Sequence, residues 1–232
     1  MNRQTLLAAL LLAALPGAAA AEGFNWNATL ASDYLYRGVD QNDDQPALQL
    51  GAGYDFAGGL YVGAWASNVD FGDSTDIEVD TFVGWAGDLS DTTNLDVQLV
   101  RYNYLNEPSG TDYAYNELIG KLGFAENYTF TLGYTNDYFN AGGNSFYYNL
   151  GGSWTVAEDY TLSAGVGYTT ISGDLKTVDG LQNFLDYSIG VSREFGPATI
   201  GLSYVDTDGN AEDNFGADLA EDKILLTIGF GG

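Results

Sequence analysis

Residues 31–56 read ASDYLYRGVDQNDDQPALQLGAGYDF, and two kinds of text meet in them. Tyrosines alternate with other residues as far as Arg37, then comes a loop made almost wholly of acids and amides, closed by Pro46. After the proline, Leu48, Leu50, Ala52, Tyr54 and Phe56 alternate with Gln49, Gly51, Gly53 and Asp55. Side chains of a strand point alternately to its two faces, so a period of two marks a strand lying between an apolar and a polar surrounding.

The same period extends in both directions. Upstream, Trp26, Ala28 and Leu30 share one face and Asn25, Asn27 and Thr29 the other. Downstream it recurs over 60–68, 77–85, 95–102, 114–124, 128–135, 146–156, 160–169, 185–195, 198–204 and 223–230, which predicts twelve strands. Their links alternate in length. Short ones fall at 57–59, 125–127, 157–159 and 196–197, and long polar ones at 38–45, 106–112, 172–183 and 206–222. Such alternation describes antiparallel hairpins with one plain end and one elaborated end. The link at 87–93 is longer than its place on the plain side predicts.

Composition narrows the class. The chain has 232 residues, with 32 acids against 7 bases and a net charge of -25. A field of that sign repels nucleic acid. Cysteine and histidine are both absent, which removes disulfides, thiolate metal sites and histidine-based catalysis. Any hydrolytic site would have to pair serine with a carboxylate or lysine, so the expectation is a protein that is not an enzyme and carries no cofactor. Residues 1–21 read as an export signal: Arg3, an apolar run over 6–15, Pro16-Gly17, and Ala19-Ala20-Ala21 as a cleavage site that would leave Glu22 first. The run is about ten residues, against the ~20 that span a bilayer as a helix.

A secreted sandwich also alternates, with its apolar face inward. Three features favour a barrel with its apolar face in lipid. The signal exports the chain, and strands of about 11 residues tilted near 45° cover a ~25 Å outer-membrane apolar band. The third is the gathering of Trp26, Tyr34, Tyr36, Tyr54, Phe56, Tyr104, Tyr128 and Tyr160 towards strand ends, as interfacial girdles do. The expected fold is thus an all-β, antiparallel transmembrane β-barrel over 22–232, with about twelve strands, short periplasmic turns and longer extracellular loops. It would sit in the cell outer membrane, against lipid and lipopolysaccharide.

Three pieces in order, SDYLYRGVDQNDDQPALQ (32–49), LYVGAWASNVDFGD (60–73) and IEVDTFVGWAG (77–87), resemble the TorF family of porin-like exported proteins of Gram-negative bacteria. The resemblance is strongest over 24–86 and looser beyond. It implies an outer-membrane, channel-like barrel and brings no substrate with it. Gly231-Gly232 after Phe230 departs from the family's more usual aromatic end.

With apolar residues facing lipid, the alternation assigns the others to the lumen. Asp33 and Arg37 are expected on the inner face of the first strand, with Arg37 at the outer mouth held by Asp33 and nearby acids, set against a substrate-binding role. Glu78, Asp80, Asp96 and Asp186 follow, and Glu117 and Lys121 read as an internal ion pair. Arg101 falls on the outer face, where mid-depth in lipid would cost ~2–4 kcal/mol, so it is expected at the rim. Six acids against two bases predict a lumen that favours cations. The loop at 206–213 has an incomplete calcium-loop pattern through Asp206, Asp208 and Asn210, set against the ordinary reading of a solvated acidic loop. The functional expectation is a passive channel for small hydrophilic solutes or ions. Its rivals are a structural or surface-interaction barrel with a plugged lumen, and a secreted β-protein binding a ligand through its acidic loops.

Overall fold

A computed structural model describes residues 22–157 and 159–232; the export signal expected at 1–21 lies outside them. The strands are β1 (Gly23–Ala31), β2 (Leu35–Tyr36), β3 (Val39–Asp40), β4 (Ala47–Asp55), β5 (Leu60–Asn68), β6 (Ile77–Ser90) and β7 (Thr93–Leu105). There follow β8 (Tyr115–Phe124), β9 (Tyr128–Thr135), β10 (Ser145–Ala157), β11 (Tyr160–Ile171), β12 (Phe184–Phe195), β13 (Ala198–Thr207) and β14 (Lys223–Gly231). Three short α-helices, α1 (Asp174–Thr177), α2 (Gly209–Phe215) and α3 (Ala217–Ala220), lie in the last two long connections, and a 3-10 turn (Tyr138–Asn140) lies between β9 and β10.

Twelve of the strands form one closed antiparallel barrel; β2 and β3 form a separate two-stranded hairpin. Closure is made by β1, which pairs with β4 on one side and β14 on the other. The terminal glycines take part: Gly231 is paired with Asn27, and Gly232 exchanges two backbone hydrogen bonds with Trp26, of 2.8 and 3.0 Å. A closed sheet leaves no edge, which a lipid-embedded sheet requires because nothing in hydrocarbon can satisfy a free backbone N–H or C=O.

The outer wall is apolar around its whole circumference, through Leu50, Val62, Val83, Leu99, Leu118, Leu132, Leu150, Ile189, Leu202 and Leu226, all exposed. In a sandwich these side chains would be the core. Here the protein's own core lies inside the barrel at the end of the long connections. It is built from Tyr36, Val39, Val100, Tyr102, Tyr104, Tyr115, Ile119, Tyr138, Ile171, Leu175, Phe184, Ala211 and Ala220.

Three expectations are corrected. The link at 87–93 is not long: β6 runs on to Ser90 and β7 begins at Thr93, with a register shift between Asp88 and Ser90. The strands continue to pair after they have left the apolar band, so the alternation stops before the ladder does. Residues 32–46 are not an extension of β1 into an outer loop, as described below. And of the aromatics expected in girdles, Trp26, Tyr54, Phe56, Tyr128 and Tyr160 are exposed on the outer wall, whereas Tyr34, Tyr36 and Tyr104 are buried inside.

Candidate functional site

The segment that follows β1 turns inward. Residues 31 and 33–42 are all buried, and the chain makes a tight hairpin there, with Leu35 opposite Asp40 and Tyr36 opposite Val39. The two turn residues, Arg37 (φ 52°) and Gly38 (φ 81°), are both left-handed, as two-residue hairpin turns with the twist of their strands require. Glycine is needed at 38 twice over, because a Cβ there would also stand 2.5 Å from Thr207 Cγ2. The return is braced by Asp40, whose carboxylate accepts from the backbone N–H of Asn42 (2.6 Å) and of Asp44 (2.8 Å). Pro46 then leads into β4.

At the tip, Arg37 crosses the lumen. Its Nη2 donates to Glu117 Oε1 on β8 at 2.5 Å, and the pair is almost fully buried. The guanidinium lies over the rings of Tyr36 (4.6 Å) and Tyr147 (4.3 Å), the latter on β10. Glu117 Oε2 accepts from Tyr102 (2.9 Å) and Tyr36 (3.4 Å). The wall opposite makes room: a Cβ at Gly133 would meet Glu117 Oε1 at 2.7 Å, and one at Gly167 would meet Asp186 Oδ2 at 2.2 Å. Glycines facing inward on β9 and β11 let these side chains lie across the lumen.

The expected pairings of Arg37 with Asp33 and of Glu117 with Lys121 give way to one between Arg37 and Glu117. Four residues along a strand span ~13 Å, at ~3.3 Å per residue, whereas residues opposite each other on paired strands lie ~5 Å apart. Accordingly Lys121 stands directly across from Asp96 on β7, and Asp96 also accepts from Tyr61 at 2.5 Å. Asp186 accepts from Tyr147 at 3.2 Å. Asp33 accepts from the N–H of Tyr34 at 2.6 Å and belongs with Asp40 and Asp44 to a group whose carboxylate oxygens lie within 4.8 Å of one another. Lys223 bonds both Asp40 and Asp44. Glu78 and Asp80 face the lumen from β6 and are buried. Arg101 faces outward four residues before the end of β7 and bonds Asn103.

The divalent loop expected at Asp206, Asp208 and Asn210 is not assembled. Asp206 accepts from Tyr187 and Tyr204. Asp208 caps α2 by accepting from the N–H of Ala211, and Asn210 donates to the carbonyl of Asn183. Nor is this connection simply solvated, since Ala211 and Ala220 are buried. Asp206 and Asn210 fasten the ends of the connection to the barrel, and Asp208 shapes its helix.

Above the hairpin lies a packed aromatic roof in which Tyr102 stacks on Tyr115 at 4.5 Å and Tyr104 on Phe139 at 5.9 Å. Below it the lumen changes character. Asn27, Thr129, Thr131, Ser153, Ser163 and Ser192 line the half nearer the short turns and are partly exposed. The interior is a water-accessible vestibule at one end and a narrow, charged, ring-lined neck at the other. Sequence reading missed the hairpin, the tyrosines at 102, 115 and 147, and Lys223. The tyrosines had a signal, since Tyr102 and Tyr115 lie on the non-lipid side of the alternation.

Three comparisons bear on this geometry. A model of a bacterial protein family of unknown function, Gcw_chp, matches residues 16–230. Comparison with curated protein sequences finds no match. Among solved structures, the barrel is similar to the NanC porin (TM-score 0.56, 11% identity, 89% of this chain and 98% of that one). It is also similar to the KdgM porin (TM-score 0.54, 9% identity, 89% and 98%), and to KdgM porin in complex with disordered oligogalacturonate (TM-score 0.52, 9% identity, 89% and 97%).

Proposed function

From the premise that the chain belongs to the Gcw_chp family of bacterial proteins of unknown function, we propose that it is an outer-membrane, porin-like passive channel that admits small hydrophilic solutes and favours cations. The observation that carries this reading is the interior: a closed barrel with an apolar outer wall, an accessible polar vestibule, and a neck set by an inward hairpin rather than by wall side chains alone. The TorF-like motifs and the NanC and KdgM folds support it. So does the signal-like leader, which would be cleaved after Ala21 on export. No catalysis enters the proposal.

Cation preference follows from the charges around the neck. Asp33, Asp40, Glu78, Asp80, Glu117 and Asp186 face Arg37 and Lys223 there, and Asp96 stands opposite Lys121 in the half nearer the short turns. A narrow passage between low-dielectric walls focuses such a field and enriches the counter-ion. Oligosaccharides are one candidate solute class, by analogy with the KdgM complex, but the acid excess disfavours negatively charged ones.

The packed roof favours a second reading, a sealed structural barrel. Recording from the refolded protein in planar bilayers separates the two. The reversal potential across a KCl gradient should show cation preference, weakening as the Debye length falls from ~10 Å at 0.1 M to ~3 Å at 1 M. Glu117→Gln should raise conductance. It breaks a buried ion pair, a loss of order 3–5 kcal/mol, and so releases the hairpin. Equal permeability at low salt would refute the selectivity, and no current from either protein would establish the sealed barrel.

A further inference from the structure

Glu78 and Asp80 stand two residues apart on the inner face of β6, only 2% and 0% exposed. The two carboxyl groups are within hydrogen-bonding reach of each other, and Glu78 is within reach of Tyr34 as well. Glu78 Oε1 also accepts from Tyr104 at 3.3 Å. Asp80 is different: both of its carboxylate oxygens are buried and neither receives an N–H or hydroxyl donor, the group within their reach being the Glu78 carboxyl. The cations at the neck are committed elsewhere, Arg37 to Glu117 and Lys223 to Asp40 and Asp44, and Lys121 stands opposite Asp96 in the half nearer the short turns.

An ionised carboxylate withdrawn from water needs donors or a counter-charge. Asp80 has neither, and the acids Glu78 and Glu117 act on it instead. Two chemistries resolve this: a shared proton, or a bound cation. The donor set consists of four carboxylate and two phenol oxygens, with no nitrogen or sulfur, which suits a hard cation. Two carboxylates balance a double charge. Magnesium keeps several waters, for which a fully buried carboxylate leaves little access, whereas calcium accepts a shell of protein oxygens.

We infer that Glu78 and Asp80, closed over by the Tyr34 and Tyr104 hydroxyls, form a buried calcium site. Tyr34 belongs to the inward-turning segment and Glu78 to the wall, so the ion fastens the start of the hairpin to β6. The site stands on burial and unpaired oxygens and does not require the lumen to conduct.

Terbium reports on it, because tyrosines beside a bound ion sensitise its emission. The refolded full chain, stripped with chelator and excited at tyrosine, should give saturable terbium emission that calcium displaces far better than magnesium. The emission should be lost in Asp80→Asn and in Glu78→Gln, and retained in Asp44→Asn. Heat-modifiable migration on a detergent gel checks that each variant is folded. Calcium should also raise the unfolding temperature of the wild type and of Asp44→Asn alike; if neither Asp80→Asn nor Glu78→Gln folds, a shift that Asp44→Asn abolishes overturns the inference. The inference is overturned by any of three results: no displaceable emission and no thermal shift; emission that survives Asp80→Asn; or emission lost only in Asp44→Asn, which would put the ion in the Asp33, Asp40 and Asp44 group.

Discussion

Arg37 occupies a backbone conformation unusual for a residue with a side chain (φ 52°), and its interactions compensate for it: an ion pair with Glu117 and two aromatic faces. Lys223, bonded to both Asp40 and Asp44, likewise sits where carboxylates converge. Asp33 shows the reverse situation. Burial, followed by repulsion from Asp40, raises its carboxyl from the ordinary aspartate range to about 7, while the N–H of Tyr34 and the charge of Lys223 pull it down. A folded-state value above the unfolded one means the docked hairpin binds that proton more tightly. The associated stability is full below the unfolded value, near 4, and is lost as pH rises through about 7. The protection factors of residues 34–42, with the base-catalysed rise of intrinsic exchange divided out, should therefore be higher at pH 5 than at pH 8. Asp33→Asn should flatten the difference, and an unchanged slope in that variant would exclude Asp33 as the cause.

Among the elements, strands and connections were unequally legible. The strands of the wall are set by a local rule: alternate residues meet hydrocarbon or water, and Leu48, Leu50 and Ala52 announce this without reference to anything distant. The connections obey no such rule. The alternation of Tyr34 and Tyr36 looked like more wall, yet these residues turn inward, because their partners Trp65, Tyr102 and Glu117 lie far along the chain. The connection over 208–222, which looked merely acidic, holds two helices packed on the core. Sidedness remains testable. Val178, in the link between β11 and β12, is 75% exposed, and a tag inserted there should be labelled on intact cells. A tag at 125–127, in a short turn, should be labelled only after the outer membrane is permeabilised. The opposite pattern would invert the topology.

For the molecule as a whole, closure is the property with an observable consequence. A barrel whose last residues pair back onto β1 unfolds as one unit, so the mature chain should fractionate with the outer membrane. On a detergent gel it should migrate differently before and after boiling. Recovery as a soluble periplasmic monomer would contradict the lipid-facing wall. That wall is legible in the amino-acid sequence alone. The bilayer imposes the same demand on every strand, so a period of two, strands long enough to cross, aromatic strand ends and a leader for export together favour a barrel over a sandwich. Asp80, Glu117, Lys121 and Asp186 are likewise assigned to the inner side by the period alone. Their partners are not. Which carboxylate receives Arg37, which one faces Lys121 and which is left without a donor depend on strand register and on where a fifteen-residue connection folds. Those are fixed by contacts between residues as far apart as Arg37 and Glu117, or Asp40 and Lys223. Periodicity is a property of neighbours along the chain, whereas the neck of this barrel is made by residues that become neighbours only when the sheet closes.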